Sequence, residues 1–338
     1  LSFPAPYALT THLQTLYVGT AAGVSTCNPQ TGETREIITS IQPQGLCFEN
    51  NRLYVSDGLS HTVRIFENNR EVGSLGVPGG RYQGPYNPER MINPQDLQVF
   101  DGHLWVTVGH HYPKRFLCWD LQTSHVIDSH FGNPPYGGSA AGMDNQDPTR
   151  VLGMRSTWKL DYETRSGVPV SRWQTKDGHL DGHYDWAYRY HYLRQDGRTF
   201  LLGAGFINLV CEEMPDGTVR DLAGVAAVEG FRYGCGWKPP ATFEQAYAAQ
   251  TDEKKSKDHN QKRRGVLWID RNGDGICQPE EFEFTPDHIM ISGTRWGHVE
   301  NSLTYRIPIQ NLETQQFGIL VLQPDGFLPS GAPNYPTL

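Results

Sequence analysis

Several motifs that mark common enzyme and cofactor classes are missing from this sequence. It contains no G-x-S-x-G nucleophile motif, no Walker phosphate loop and no C-x-x-C-H haem motif. Its six cysteines include no C-x-x-C pair, which excludes the usual structural zinc patterns. No paired-carboxylate arrangement can be identified either. These absences remove the motif basis for assigning acyl transfer, P-loop nucleotide hydrolysis or haem chemistry.

Long hydrophobic runs and strong positive charge are also lacking. No apolar run approaches the roughly 20 residues that a membrane-spanning helix requires. The formal net charge is -8, from 29 Lys and Arg against 37 Asp and Glu. A net negative surface disfavours polyanions as the main partner. We therefore expect no nucleic-acid partner and no membrane span.

Residues typical of turns and strands are plentiful. The 338 residues include 36 Gly and 23 Pro, and 11% of the chain is aromatic. This composition favours many turns and short strands over a helical bundle. The length would fit two domains or one large all-β barrel or propeller. We interpret the six cysteines as small buried residues, although the sequence leaves a Cys27–Cys47 disulfide open.

A unit of four short strands recurs along the chain. The segments Pro43-Gln44-Gly45-Leu46 and Leu53-Tyr54-Val55 return 51 residues later as Pro94-Gln95-Asp96-Leu97 and Leu104-Trp105-Val106. Two more strands follow in each copy. A period of roughly 40 to 50 residues with four strands per unit is typical of β-propellers, whose radial repetition leaves only short sheet edges. The sequence predicts an all-β, six- or seven-bladed β-propeller spanning 1–338 as a single domain.

Two insertions interrupt this period. The segment 78–93 is so rich in Gly, Pro and Tyr that we predict an irregular loop. The segment at about 240–264 contains one convincing helical run, Phe243–Gln250, followed by a cluster of Lys and Arg that we interpret as a solvated excursion. We therefore expect a propeller with a short helical insertion.

The strongest motif is a twelve-residue calcium loop at 270–281. The sequence Asp-Arg-Asn-Gly-Asp-Gly-Ile-Cys-Gln-Pro-Glu-Glu fits D-x-[DN]-x-[DN]-G-x5-E at every defining position. The sixth position is Gly275, which permits the sharp turn, and Gln278 binds directly or through water. The predicted ligands, including the Ile276 backbone carbonyl, are Asp270, Asn272, Asp274, Ile276, Gln278 and Glu281.

The flanks of this loop differ from those of an EF-hand. Val266–Ile269 before the loop and Phe282–Phe284 after it have the composition of strands, whereas an EF-hand has helices. A sensor needs a helix pair that opens on binding. The pattern therefore predicts a structural Ca2+ that fastens a turn between strands. An acidic turn without an ion is the weaker alternative, because six positions agree.

A second cluster, 179–192, is rich in His, Tyr and Asp. On a strand, residues two apart share a face, which places Tyr188, Tyr190 and Tyr192 on one side and Arg189 and His191 on the other. A wet, aromatic blade edge and a sugar-binding platform explain the pattern about equally well. A transition-metal site is the third alternative, carried by His179, Asp181 and His183. The predicted ligand-binding residues are Tyr188, Tyr190, His191 and, from another loop, Trp296.

A third cluster, 110–115, lies in the loop between the second and third strands of its unit. Loops carry function more often than the strands that hold them. A Tyr, His and Arg set would suit β-elimination on an acidic polysaccharide, with Arg neutralising the carboxylate and His or Tyr moving the proton. A solvated loop without catalytic function is the simpler alternative. The candidate catalytic residues are His110, His111, Tyr112, Arg115, Arg295 and His298.

The segment 43–66, with Val55-Ser56-Asp57-Gly58 leading into His61–Phe66, resembles the NHL-type propeller repeat. Most of the chain also resembles a group of secreted bacterial NHL-like propeller proteins. The further segments that carry this resemblance are 84–91, 112–115, 136–138, the calcium-loop unit and 329–333. The resemblance implies an extracellular or periplasmic β-propeller of poorly defined function that can be part of a longer chain, and it supplies no catalytic residues.

Two functions follow as expectations. The first is a secreted, calcium-binding scaffold that recognises a glycan or another extracellular ligand on one propeller face. The second is a polysaccharide lyase or hydrolase that uses the His/Tyr/Arg loops. The chain begins at Leu1 without Met, so we expect that a leader or a larger N-terminal part has been removed and that further domains belong to the same protein.

Overall fold

A computed structural model describes residues 3, 5–109, 114–132, 142–144, 146–153, 156–173, 187–235, 239–251, 259–291 and 298–338. These residues form two compact units, Leu1–Arg81 with Asn87–Gly137, and Tyr82–Tyr86 with Gly138–Leu338. Antiparallel strands dominate both units.

The first unit contains three four-stranded sheets, each built from strands that are consecutive in sequence. The first sheet is β1 (Ala8–His12), β2 (Thr15–Thr20), β3 (Gly23–Cys27) and β4 (Thr34–Thr39). The second is β5 (Pro43–Glu49), β6 (Arg52–Asp57), β7 (Thr62–Glu67) and β8 (Arg70–Leu75). The third is β10 (Pro94–Phe100), β11 (His103–Val108), β12 (Arg115–Asp120) and β13 (His125–Phe131).

Hairpin turns explain why neighbouring strands pair in these sheets. Asn50-Asn51 and Asn68-Asn69 all have positive φ, as the two central residues of a type I′ turn require. Asn tolerates this left-handed region better than other non-glycine residues. The strands between the turns bury Leu53, Val63 and Leu104. The four-strand unit predicted from the sequence is therefore confirmed.

The second unit contains three further sheets. One has the order β14 (Gly142–Met143), β15 (Arg150–Gly153), β16 (Ser156–Asp161), β17 (Ser166–Trp173) and β9 (Gln83–Pro85). The next has six strands, β18 (Ala187–Gln195), β19 (Arg198–Gly205), β20 (Asn208–Glu213), β21 (Val219–Ala227), β22 (Gly265–Ile269) and β23 (Phe282–Phe284). In the last, β26 (Tyr305–Asn311) pairs with β24 (Ile289–Ile291), β25 (His298–Val299) and β27 (Phe317–Leu322).

Two details differ from the sequence-based predictions. The calcium-loop unit is not a sheet of its own, since β22 pairs with β21, and β23 with β22, so that both strands extend the preceding sheet. The segment 78–93 is not wholly irregular, because Gln83–Pro85 pairs with Ser171–Trp173 of β17. The β21–β22 and β9–β17 pairings join segments that are far apart in sequence, so local patterns do not reveal them.

Meanders of four antiparallel strands, repeated along the chain, are the building unit of β-propellers. The described residues form six antiparallel sheets. Five contain such a meander, two of them enlarged by one or two strands, and in the sixth β24, β25 and β27 all pair with β26. The fold class predicted from the sequence, an all-β propeller, is confirmed. The number of blades and the single-domain boundary at 1–338 stay predictions.

The described part of the second unit contains two α-helices. The predicted helix is present as α2 (Ala241–Ala249), and a second helix, α1 (Val228–Gly234), precedes it. The rings of Phe231 and Phe243 stack with centroids 4.4 Å apart, and Phe282 meets Phe243 edge-on. The insertion is therefore packed onto the six-stranded sheet through aromatic contacts. None of the described helices has the length and apolar character of a membrane span.

The six cysteines are all buried and free. They occupy core positions of strands, of the residue after α1 and of the calcium loop. Their interpretation as small buried residues is confirmed, and the Cys27–Cys47 disulfide that the sequence left open is not formed.

Candidate calcium site

The calcium loop connects β22 to β23 and begins at the end of a fully buried strand. Each residue of β22 is buried, and Asp270 follows the last of them with no exposed surface. Its backbone N–H donates to the carbonyl of Leu222 at 2.9 Å, which continues the sheet pairing for one more residue. The sheet therefore carries a carboxylate into the protein interior.

The first half of the loop turns back on itself through side-chain acceptors. Asp270 Oδ1 accepts the N–H of Gly273 at 2.9 Å, and Asp274 Oδ1 accepts the N–H of Ile276 at 2.8 Å. Gly273 and Gly275 have φ of 86° and 70°, where a side chain would be strained. The predicted need for glycine at the sixth loop position is met.

The second half of the loop returns Glu281 to the start of the loop. In the short 3-10 turn Pro279–Glu281, Glu281 Oε2 accepts the backbone N–H of Gln278 at 3.2 Å. Glu281 Oε1 accepts the N–H of Arg271 at 2.8 Å, and Oε2 accepts the indole N–H of Trp268 at 3.1 Å. These bonds hold a carboxylate that is only 2% exposed beside the segment that Asp270 opens.

Two buried oxygen atoms in this loop have no hydrogen-bond partner among the described residues, Asp270 Oδ2 and Gln278 Oε1. The side-chain nitrogen of Gln278 donates to Asp274 Oδ2 at 2.8 Å, so only the side-chain oxygen of Gln278 lacks a partner. Buried acceptors without partners are rare in native proteins, and each calls for an explanation such as an ion or a water. Both atoms belong to residues that the calcium motif assigns as ligands.

Burial also affects the pKa values of Asp270 and Glu281, the first and last residues of the loop. Burial raises the pKa of the Asp270 carboxyl, although N–H donors and Arg220 lower it. Burial likewise raises the pKa of Glu281, against the lowering effect of its three backbone donors and Trp268. A cation among these oxygens would reverse both effects, because it favours the ionised form. The donor set, all oxygen and partly anionic, fits Ca2+, which takes six to eight oxygen ligands.

The acidic side chains alone do not form a chelating group. No three His, Cys, Asp or Glu side chains among the described residues are grouped closely enough to hold a metal. Three of the six predicted ligands are of other types, namely Asn272, Ile276 and Gln278. Binding at this loop therefore depends on amide and carbonyl oxygens as well as on carboxylates.

The C-terminal segment 328–338 lies against this loop, which the sequence did not predict. Ser330 Oγ donates to the backbone carbonyl of Asp270 at 2.8 Å, and the N–H of Leu338 donates to Glu283 at 3.2 Å. Tyr335 is 4% exposed, and its hydroxyl donates to the carbonyl of Leu303 at 2.6 Å. The small Ser-Gly-Ala run was the only sequence signal, since small residues permit close backbone approach.

An ionic cluster holds the same segment from the side. Arg198 donates twice to Glu212, at 2.7 and 2.8 Å, and once to the carbonyl of Gly331 at 2.8 Å. Arg220 donates to Glu212 at 3.1 Å. The two arginines lower the pKa of Glu212, despite its partial burial. Arg198 also lies over the ring of Phe327, 4.7 Å from its centroid.

The other predicted site residues are only partly placed. Eight of them lie outside the described residues, namely His110, His111, Tyr112, His179, Asp181, His183, Arg295 and Trp296. For Tyr188 and Tyr190 on β18 and His298 on β25, only the backbone is described. That these residues come together in one site stays a prediction.

Two members of those sets are fully placed. Arg115 opens β12 with 4% of its surface exposed, and it donates to the carbonyls of Pro88, at 3.0 Å, and Arg90. His191 lies half-buried in β18, opposite Leu202 of β19. Arg115 thus fastens the chain at 88–90, which explains its burial without a catalytic role.

Comparisons with known proteins give no family. No family model matches the sequence, and no curated protein matches it. Among solved structures, the hydrazine synthase of Kuenenia stuttgartiensis is 12% identical, with a TM-score of 0.32 over 95% of this chain and 96% of that chain. A nidogen–laminin complex is 10% identical, with a TM-score of 0.31 over 61% and 75%. At these values neither similarity transfers a function to this chain.

Proposed function

We propose that this protein is a secreted β-propeller scaffold that holds one structural Ca2+ at residues 270–281 and recognises a carbohydrate or another extracellular ligand. The observation that carries the calcium proposal is the pair of buried acceptors without partners, Asp270 Oδ2 and Gln278 Oε1. Burying a charge or an acceptor without compensation is costly. A divalent cation compensates both groups at once.

The proposed ligands come from one contiguous segment. Asp270, Asn272 and Asp274 supply side-chain oxygens from the first turn, and Ile276 supplies its carbonyl. Gln278 and Glu281 close the set from the 3-10 turn. When bound, the ion supplies two positive charges to a site that already buries Asp270 and Glu281. A single loop of this kind suits the weak affinity of extracellular modules, about 10⁻⁴ to 10⁻³ M.

The ion would have a structural role and would stabilise the conformation of the loop. The segment that it holds runs from the buried strand β22 to β23, and Ser330 of the C-terminal segment bonds to the carbonyl of Asp270. Fixing the loop therefore also fixes the surface on which the C-terminal segment lies. Within the described stretch 259–291, strands and not a helix pair flank the loop, which therefore lacks the opening element of a calcium sensor.

Calorimetric titration of the metal-free protein with CaCl2 tests this proposal. We expect one ion per chain and no binding by the isosteric double variant Asp270→Asn/Glu281→Gln. Asp101→Asn, which removes an exposed carboxylate from a hairpin turn of the first unit, is the matched control and should bind normally. Equal binding by the double variant, or no heat with the native chain, would contradict the proposal.

Ligand recognition is the function we propose for the scaffold itself. Tyr188, Tyr190, His191 and Trp296 are its proposed contacts, supported by the aromatic-rich sequence around them. Recognition is favoured over the lyase or hydrolase alternative, because Arg115, the one candidate catalytic side chain that is described, is committed to backbone carbonyls.

Electrophoresis of the protein in gels that each contain one polysaccharide tests ligand recognition. It should show retardation without unsaturated products or new reducing ends. Release of either product would favour the enzyme.

A further inference from the structure

A cleft in the first unit lies where three hairpin turns meet. Its volume is about 520 Å³, within the range of small-molecule sites. The turns join β1 to β2, β5 to β6, and β7 to β8. The residues that line it are His12, Tyr17, Phe48, Asn51, Leu53, Phe66, Asn68 and Asn69.

One wall of the cleft is aromatic. The rings of His12 and Phe48 stack with centroids 3.9 Å apart and an interplanar angle of 20°. Tyr17 leans on Phe48 with centroids 5.2 Å apart. All three side chains are half-buried, so they are held in place and still reach solvent. Aromatic faces carry a partial negative charge that attracts C–H groups of a ligand.

Three further lining groups are amides. Asn51, Asn68 and Asn69 are exposed turn residues with positive φ, and the hairpin geometry alone explains why Asn occurs there. It does not require that three amides line one cleft with an aromatic wall. No hydrogen bond from these side chains to another described residue is present. Each amide offers two donors and an acceptor, which match the hydroxyl groups of a sugar.

Fixed charge is absent from the described residues that line the cleft. None of its eight residues is Asp, Glu, Lys or Arg. The charged residues next to the lining residues in sequence are Glu49, Arg52, Glu67 and Arg70. Their two positive and two negative charges balance, and Arg52 pairs with Glu67 at 2.5 Å. Without a positive group the cleft cannot neutralise a uronate or sulfate, so its chemistry disfavours an acidic glycan.

We propose that this cleft binds a neutral oligosaccharide, with sugar C–H faces against the His12–Phe48–Tyr17 wall and hydroxyl groups on the amides of Asn51, Asn68 and Asn69. This inference rests on the proposed ligand recognition, to which it adds a class of ligand and a site in the first unit, in addition to the contacts proposed above. It is independent of the calcium loop, which belongs to the second unit.

Titration by calorimetry and saturation-transfer NMR tests the proposal. The probes are cellohexaose, xylohexaose, mannohexaose and maltohexaose, with pentagalacturonate as the acidic comparison. Phe48→Leu removes the ring but keeps an apolar side chain. Asn68→Gly/Asn69→Gly removes two amides but keeps the turn, since glycine accepts positive φ. Phe100→Ala removes a ring that is 72% exposed in the same unit and does not line the cleft.

We expect one neutral hexaose to bind, with affinity at least about fivefold lower in Phe48→Leu and in the double glycine variant, and unchanged in Phe100→Ala. Binding should persist in Asp270→Asn/Glu281→Gln. Neutral-sugar binding that neither cleft variant weakens would overturn this site and leave ligand recognition standing elsewhere. Binding of pentagalacturonate alone would overturn the ligand class. No binding by the whole panel would overturn both the cleft and carbohydrate recognition.

Discussion

The sheet β5–β8 and the six-stranded sheet β18–β23 bury different kinds of groups. Within the described part of β5–β8, Asp57 is the only buried carboxylate, and it accepts the N–H groups of Gln42 and Leu59 at 2.9 and 3.0 Å. The six-stranded sheet and its loop contain four buried carboxylates, Glu212, Asp221, Asp270 and Glu281. One region is therefore held mainly by apolar packing and hairpin turns, while the other must also compensate buried charge.

This difference predicts which changes will destabilise each region. Loss of apolar volume should weaken β5–β8 and β10–β13, which share a core that includes Val63, Leu104 and Trp119. Loss of a cation or of an ionic partner should weaken β18–β23 and the C-terminal segment. Removing a buried charge partner costs more than removing an exposed one, because the remaining charge stays desolvated.

The largest effect should come from a cavity in the first unit. Leu104→Ala removes a side chain with no exposed surface and should lower the free energy of unfolding by about 2–5 kcal/mol. Leu59→Ala, at a position 64% exposed, should change it by less than about 0.5 kcal/mol. Chemical denaturation followed by fluorescence measures both. If the stabilisation by calcium also vanished in Leu104→Ala, the two regions would not be independent.

The next largest effect should be the stabilisation of the folded protein by bound calcium. At a calcium concentration of 100 times Kd, binding to the native state alone stabilises it by about 2.7 kcal/mol. Thermal unfolding with CaCl2 and with EGTA should show this difference in the native protein and in Asp101→Asn. The double variant Asp270→Asn/Glu281→Gln should show none. A calcium-dependent shift that survives in the double variant would place the ion elsewhere.

A smaller effect should follow from the ionic cluster on the C-terminal segment. Arg198→Met removes two charge-assisted bonds to Glu212 and one bond to Gly331. Because Arg220 still pairs with Glu212, the total cost should be about 1.5–2.5 kcal/mol. Carboxypeptidase should then shorten the chain faster. The matched change in the other region, Arg52→Met, breaks a pair whose side chains are 47% and 39% exposed and should cost less than about 1 kcal/mol. Equal costs would contradict the comparison.

The smallest effect is a pH dependence in the first unit. Burial lowers the pKa of His61 from its ordinary value of 6.5, aided by Arg81 and opposed by Asp57. Its Nδ1 accepts the N–H of Asn93 at 3.0 Å, which requires the unprotonated atom. The unfolded chain therefore binds the proton more readily, and stability should fall as pH drops through 6.5.

His61→Asn should reduce this acid-side loss, because Asn accepts positive φ and does not titrate. Urea unfolding between pH 5 and 8 measures it in both proteins. A native protein whose stability rises on acidification over this range, or an unchanged slope in the variant, would show that His61 is not the titrating group.

The same contrast explains how much the sequence could predict. In 43–75 and 94–131, each strand pairs with the next one in sequence, so the recurring strand segments and the Asn-Asn and Asp-Gly turns were sufficient. The calcium motif was readable because its residues are contiguous. The pairing of β21 with β22 across an insertion, and of β9 with β17, depends on distant segments.

The site showed the same limit. Asp270 and Glu281 were predicted from spacing alone, but Ser330 and Arg198, which approach the loop from elsewhere in the chain, were not. The cleft at His12 and Phe48 was missed for the same reason, since three separate hairpins build it. Side chains that converge from distant turns leave no local pattern.

Hydrogen exchange with and without calcium tests the central claim most directly, because it reports on both regions of one molecule. On addition of EGTA, amides of 266–284 and 328–338 should exchange faster, while amides of β5–β8 should keep their rates. The Asp270→Asn/Glu281→Gln variant should exchange in CaCl2 as the native protein does in EGTA. Unchanged rates in 266–284, or an equal increase in β5–β8, would contradict a structural ion at the loop.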